Sequence, residues 1–430
     1  MLTRFFIILL ATSFSFLVNA GVKIEVWKTS AGSKVFFVEN HDLPIIDVSI
    51  SFRAGSARDT NEINGLASIT NNLMLLGSDQ INEKDLANKF TDIGAQLDSE
   101  FDQDKSGFSL RTLSEKKLEA FNLFKIVMHK PNFDSAILNR EKIKYYASIS
   151  QGETEPDAIA NKAFLKAIYG SHPYALSGSG TINTIEKLTI KDLIYFYKSY
   201  YSSSNASIVI VGDLTVDEAK LFSEDLSNGL PEPTVIQPYT EVLIKSKEDI
   251  KISHPSSQAH LLFGAPIMKR GDPDFFPLYV GNYILGGGGF SSRLTEEVRE
   301  KKGLVYSVYS YFMPLIEKGP FQVGLQTKKD QIDEALNLVK STINKFISDG
   351  PSEKELQAAK DNLIGGFPMR LDSNKKILDY LTMMAFYDYP VDYLDTFSVS
   401  VNKVTTKQVK KAFQSRVDIN QFSTIIVGIE

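Results

Sequence analysis

Residues Ile63 to Leu76 combine a helical apolar stripe, at Ile63, Leu66, Ala67, Leu73 and Met74, with polar side chains at Ser68, Asn71 and Asn72. Ser68 and Asn72 stand four apart, which puts both side chains on one face of a helix. Zinc hydrolases use this spacing as His-x-x-Glu-His, with two imidazoles for the metal and a carboxylate to deprotonate its water. Here a hydroxyl and two amides stand in those places. Serine and asparagine are poor zinc ligands, and a neutral amide cannot serve as a general base. The chain has 5 His and 0 Cys, which excludes thiol nucleophiles, disulfides and every cysteine-ligated metal site. His254 and His260 read as two positions of one strand, on one face but ~20 Å apart, too far for one ion. His41, His129 and His172 each stand alone. The expectation is a chain that builds no zinc site of its own.

A second group lies further along. Gly286, Gly287, Gly288 and Gly289 lead into Phe290 and then Ser291-Ser292-Arg293-Leu294, a helical pattern that Gly303 can end. Ser291 or Ser292 can cap that helix. A phosphate loop would need a terminal Gly-Lys-Ser/Thr, which is absent. Arg299 and Tyr306 lie seven apart across the turn from this helix to the strand Leu304–Phe312. Spacing alone is met equally by a solvated arginine and a tyrosine packed on a sheet. Arg293 is assigned a structural role, and Glu296, Glu297, Glu300, Lys301 and Lys302 a solvated face. The aromatics Tyr195, Phe196, Tyr197, Tyr200 and Tyr201 read as core and inter-half packing.

These groups need a scaffold of some size. With 430 residues, 43% hydrophobic and 23% charged, the chain is globular and long enough for two or three domains. A net charge of -5 argues against a nucleic-acid partner. Arg4, an apolar run from Phe5 to Val18 and a small residue at Ala20 read as a cleavable secretory signal over residues 1–20. The run is too short to span a bilayer, which takes ~20 residues. No membrane span is therefore expected after signal removal, and no cysteine follows the run to carry a lipid. In a Gram-negative source the mature chain would reside in the periplasm.

The chain also repeats itself. Lys187-Leu188-Thr189-Ile190-Lys191 aligns with Lys403-Val404-Thr405-Thr406-Lys407, and Ser207–Gly212 aligns with Ser423–Gly428 at the same offset of 216. In both places a Thr-capped helix leads into a β-branched strand that ends at glycine. The expected division is 21–228, a connection over 229–244 rich in proline, and 245–430. Val35–Val38 and Ile45–Phe52 read as strands; Asn64–Leu76, Glu83–Ile93 and Glu115–Val127 read as helices. The fold class is α+β, with two homologous domains, each an antiparallel sheet covered by helices on one face.

Asn64-Gly65-Leu66-Ala67-Ser68-Ile69-Thr70-Asn71-Asn72-Leu73-Met74, followed by Gly77, resembles the inverted zinc-binding helix of the pitrilysin, insulin-degrading enzyme and mitochondrial processing peptidase family. His172-Pro173-Tyr174 with Gly178, and the strand ending Val209-Ile210-Val211-Gly212-Asp213, resemble further family segments, so the similarity covers the chain in order. The resemblance implies histidines at Ser68 and Asn72, a glutamate at Asn71, and a third, glutamate ligand at or near Ser148. All are replaced. It also implies that Arg299 and Tyr306 bind substrate backbone, the Tyr helping to stabilise a tetrahedral intermediate, and that Gly286–Gly289 contribute to substrate binding. An arginine and a phenol are suitable donors to a developing oxyanion. The implied architecture is half of a clamshell. The implied function is that of the non-zinc subunit of an exported heterodimeric peptidase, with no cofactor of its own. A homologous His-x-x-Glu-His partner subunit would carry Zn, and the substrate would be a peptide laid on a sheet edge. The alternative is a catalytically inactive binding or scaffold protein.

Overall fold

The computed structural model describes residues 22–232 and 235–429. The segment read as a secretory signal lies outside the described residues.

Six strands form the first sheet: β1 (Glu25–Lys28), β2 (Lys34–Glu39), β3 (Ile45–Phe52), β4 (Gln96–Phe101), β5 (Ser106–Leu113) and β6 (Ala206–Gly212). Their spatial order is β1-β2-β6-β3-β5-β4, which leaves β4 at an edge. Five strands form the second: β7 (Asp249–Ser253), β8 (Gln258–Met268), β9 (Val305–Phe312), β10 (Gly319–Lys328) and β11 (Ser423–Ile429). Their order is β9-β10-β8-β11-β7, so β9 is an edge strand too. The pairings are antiparallel except for β2 with β6 and β11 with β7, which run parallel.

The two repeated strands hold equivalent places. β6 lies between a parallel neighbour, β2, and an antiparallel one, β3; β11 lies in the same way between β7 and β8. Each ends at a glycine with positive φ, +134° at Gly212 and +98° at Gly428. A Cβ there would come within 2.2 Å of Ile45 O or 2.4 Å of Gln258 O, so only glycine fits. The helices before them, Ile190–Tyr200 and Thr406–Arg416, both start in a capping box, Thr189 with Asp192 and Thr405 with Gln408.

Strand alternation sends side chains into two different cores. Ile208 and Ile210 of β6 join Val48, Ile50 and Phe108 under the helices of the first half. Val209 and Val211 point the other way and join Leu378, Leu381 and Met384 of helix α5 (Asn374–Phe386), which belongs to the second half. Here α1 is Leu66–Leu73, α2 Ser135–Gly152, α3 Pro156–Tyr169 and α4 Phe275–Asn282. The exchange is reciprocal, since Phe164, Ala167 and Ile168 of α3 pack on Leu262 of β8 and on Ile425 and Val427 of β11. Each fully buried Val, Ile or Leu contributes roughly 1.5–3 kcal/mol. Each half therefore loses part of its core without the other.

Between the halves sits one buried carboxylate. Asp104 Oδ1 accepts from the Tyr174 hydroxyl at 2.5 Å, and Oδ2 from Ile316 N at 2.7 Å and the Tyr387 hydroxyl at 3.3 Å. Tyr239, in the connection between the halves, donates to Asp104 O at 2.8 Å. His172 Nε2 meets Thr240 O at 2.8 Å, so the connection is fastened on both sides.

Candidate functional site

The helix that carries Ser68, Asn71 and Asn72 is shorter than its polar pattern suggests. Gly65, with φ at +94°, turns the chain into α1, and the helix closes at Leu73. Asp59 secures its start, accepting from Gly65 N at 2.7 Å and Ala67 N at 3.0 Å. Burial pushes the Asp59 carboxyl up to about 7, against the pull of those amides.

The three polar positions are committed to neighbouring side chains. Ser68 Oγ lies 2.8 Å from the Tyr145 hydroxyl on α2. Asn72 Nδ2 donates to Glu141 Oε2 at 3.2 Å, one turn earlier on the same helix. Asn71 Nδ2 donates to Ser106 Oγ at 2.7 Å, and that oxygen lies 2.7 Å from the buried Tyr201 hydroxyl. Glu141 Oε1 accepts from Lys144 at 2.7 Å and Arg140 at 2.8 Å. Burial raises the Glu141 carboxyl, but Lys144, Arg140 and Asn72 together bring it below its ordinary value. Ser148 lies two turns beyond Glu141 on α2 and is exposed, lining a cleft of about 1020 Å³ with Asn64, Asp102 and Lys162. Hydroxyls, amides and a carboxylate already paired with two cations do not suit zinc. Among the described residues, no group of three or more His, Asp or Glu side chains is disposed to hold a metal ion. Glu141 and Tyr145 went unnoticed in the sequence. Their spacing of seven and three residues before Ser148 puts all three on one helix face, and that is the signal that marks them.

The histidines fall differently from the reading above. His254 follows β7 and His260 lies on β8, so they are not in one strand. Both face the start of the α3 segment, His254 Nε2 at 3.1 Å from Thr154 O and His260 Nδ1 at 2.6 Å from Asp157 Oδ1. They fasten the halves together.

In the second half α4 runs on as the π-helix Tyr283–Gly287, and the glycine run ends it in a turn at Gly288–Gly289 against the edge strand β9. A Cβ on Gly286 would come within 2.3 Å of Ser310 Oγ, and Gly289 has φ of +61°. Asn282 holds the turn to the strand, accepting from Ser310 Oγ at 2.6 Å and donating to Ser310 O at 3.0 Å. Ser292 stands where the following helix begins, its backbone extended and its carbonyl accepting from Glu296 N at 2.9 Å. Its hydroxyl lies 2.8 Å from Gly289 O and 3.0 Å from Thr295 Oγ1, and Thr295–Glu300 winds as a π-helix. π-Bulges of this kind concentrate at functional sites.

The pairing of β9 with β10 slips between Val305 and Val308, where Tyr306 and Ser307 oppose a single residue. This β-bulge lifts Tyr306 out of the sheet and leaves it 80% exposed. The Arg299 guanidinium lies 5.3 Å from the centre of its ring and 4.7 Å from that of Phe290, within cation–π reach of both. Phe290, 73% exposed, is a third member that sequence reasoning missed. Arg293 is a structural clamp: Nε and Nη2 take both oxygens of Glu355 at 2.7 and 2.8 Å. That pairing holds the Glu355 carboxyl down at about 2. Among the described residues, no hydrogen bond or ion pair joins Arg299 or Tyr306 to the Ser68–Asn72 group.

Comparison with known proteins matches residues 34–182 to the model described as Insulinase (Peptidase family M16) and residues 187–363 to that described as Peptidase M16 inactive domain. The crystal structure of a peptidase M16 inactive domain from Pseudomonas fluorescens is 34% identical, covers 95% of this chain and 98% of its own, and superposes with a TM-score of 0.91. The chain belongs to peptidase family M16. A non-peptidase homolog, YmxG of Helicobacter pylori, is 28% identical over 400 residues, 92% of this chain and 91% of its own. An uncharacterized zinc protease YmxG of Bacillus subtilis is 27% identical over 358 residues, covering 81% and 85%. The first matched M16 segment holds Ser68, Asn71, Asn72 and Ser148, and the second holds Gly286–Gly289, Arg299 and Tyr306. With matches to a peptidase M16 inactive domain and to a non-peptidase homolog, this chain is an M16 member of the inactive kind, and its α+β halves are those of the M16 two-domain fold.

Proposed function

We propose that this M16 chain is the non-zinc subunit of an exported two-chain metallopeptidase. It would present Arg299 and Tyr306 to a peptide held by a homologous His-x-x-Glu-His subunit that carries the zinc. One observation supports this reading above the others. The Ser68–Asn72 helix is closed by side-chain hydrogen bonds, while Tyr306 is exposed on the bulge of β9 and the Arg299 guanidinium, paired with the neighbouring Glu300 at 3.4 Å, lies 5.3 Å from the centre of the Tyr306 ring. A protein kept only as a scaffold has no need of a strand distortion that exposes a phenol beside a guanidinium.

In the assembled enzyme Arg299 would hold substrate carbonyls and the Tyr306 hydroxyl would donate to the tetrahedral oxyanion. Gly286–Gly289 would let substrate backbone approach the edge of β9. The divisions 21–228, 229–244 and 245–430 remain our proposed boundaries, with α3 and α5 exchanged between the halves. Export rests on the pattern of residues 1–20, and periplasmic residence follows from it in a Gram-negative source.

The test is reconstitution with a His-x-x-Glu-His homologue from the same genome, followed by light scattering and peptide cleavage. A stable heterodimer that cleaves, and whose Tyr306→Phe form loses ~10²-fold in kcat, bears out the reading. Two monomers with no gain of activity favour the inactive binding or scaffold protein.

A further inference from the structure

Beside the glycine turn lies a second pocket, of about 480 Å³, within the roughly 300–1,000 Å³ usual for small-ligand sites. Phe275 and Tyr279 of α4, Tyr283 of the π-helix that continues it, and Tyr311 and Phe312 of the edge strand make its walls, with Arg370 on one side. Arg53, Arg111, Arg140, Arg293, Arg299 and Arg416 each hold a carboxylate. Arg370 does not; like Arg58 and Arg270 it forms no ion pair among the described residues, and of these three it alone lines this pocket. Nη1 donates to the Tyr279 hydroxyl at 3.2 Å, and Tyr380 also hydrogen-bonds to it. A cation bracketed by neutral phenols at an aromatic pocket is suited to an anion carried on an apolar body.

The edge strand narrows the choice. A peptide can add to the free edge of β9. At Ser310, however, the strand's carbonyl already takes Asn282 Nδ2 at 3.0 Å, so an added strand loses its pairing there. An internal acidic residue would require the chain to continue past that point. A chain terminus does not. We infer that this pocket binds the C-terminal residue of a peptide, its apolar or aromatic side chain among Phe275, Tyr283 and Phe312 and its α-carboxylate on Arg370. This deepens the peptide-substrate reading above and rests on it, but it concerns this chain alone and needs no partner for its test.

The probe is a fluorescent hexapeptide ending in phenylalanine, as free acid and as C-terminal amide, titrated by anisotropy against the intact purified chain. The acid should bind at least tenfold more tightly than the amide, and a peptide ending in glycine should bind less well than the phenylalanine acid. Arg370→Gln should bring the acid to the level of the amide, and Arg370→Lys should restore part of the difference. Circular dichroism melts check that both variants fold. Equal binding of acid and amide by the wild-type chain, or no binding of either, overturns the inference whatever the variants do. Failure of reconstitution with acid-selective binding intact would instead count against the two-chain peptidase only.

Discussion

Ser68 Oγ and the Tyr145 hydroxyl meet at 2.8 Å where α1 packs on α2, so a hydroxyl pair closes the Ser68–Asn72 face of α1 against α2. The side-chain network continues from Asn72 to Glu141. The purified, dialysed chain should accordingly hold no stoichiometric zinc by metal analysis, and one tightly held zinc per chain would contradict this account. Tyr145→Phe removes only the hydroxyl. It should lower stability by about 1 kcal/mol in urea unfolding, the scale of one net hydrogen bond.

Arg293 and Arg299 lie six residues apart and should respond to the same substitution in opposite ways. Arg293→Lys gives up a two-point pairing with Glu355, so it should cost stability, ~1–2 kcal/mol, and leave cleavage by the reconstituted dimer near wild type. Because Glu355 is held at about 2, below its ordinary 4.5, its contribution is present above pH 4.5 and lost as pH falls through 2. The stability gap between wild type and variant should therefore shrink in acid. Arg299→Lys should leave the melt unchanged and lower kcat/KM. The reverse pattern would exchange the roles assigned to the two arginines.

Much of this was legible beforehand, and the exceptions share a cause. Ile45–Phe52 was visible as a strand because apolar residues alternate there, and Thr189 and Thr405 were visible as caps because capping is local. Local rules could not reveal that the second face of each sheet is covered by a helix from the other half. That contact brings Val209 and Leu378, residues far apart in sequence, into one core. The polar side chains of Ser68, Asn71 and Asn72 are plain in the sequence, but the closure of their helix by Tyr145 depends on packing between two helices. The Tyr306 bulge arises from strand register, which composition does not encode.

The Phe290 ring centre lies 4.7 Å from the Arg299 guanidinium, and its role is open to a direct test. Phe290→Ala removes one of the two aromatic faces that fix the guanidinium, an interaction of ~0.5–1 kcal/mol at exposed sites. The reconstituted dimer should lose about two- to fivefold in kcat/KM, and Phe290→Trp should keep the wild-type value. If Phe290→Ala cleaves like wild type while Arg299→Lys does not, the stack has no part in positioning Arg299.

Asp104 should make the union of the halves sensitive to pH. It is fully buried, and burial raises its carboxyl to about 6 even though Tyr174, Ile316 and Tyr387 all donate to it. A carboxyl raised in the folded state contributes its full stability below its unfolded value of 3.8 and loses it as pH climbs through 6. Across that window the loss is on the order of 3 kcal/mol. Asp104→Asn has nothing to titrate, and the Tyr174 hydroxyl can turn to accept from the new amide. Urea unfolding of both proteins at pH 4.5, 6 and 7.5 separates this group from every other carboxylate, since all the rest are common to the pair. The stability of the variant relative to wild type should increase with pH, most steeply between 3.8 and 6, and level off above 6. A difference that stays constant from pH 4.5 to 7.5 would mean that Asp104 is ionised throughout, with its three donors outweighing its burial.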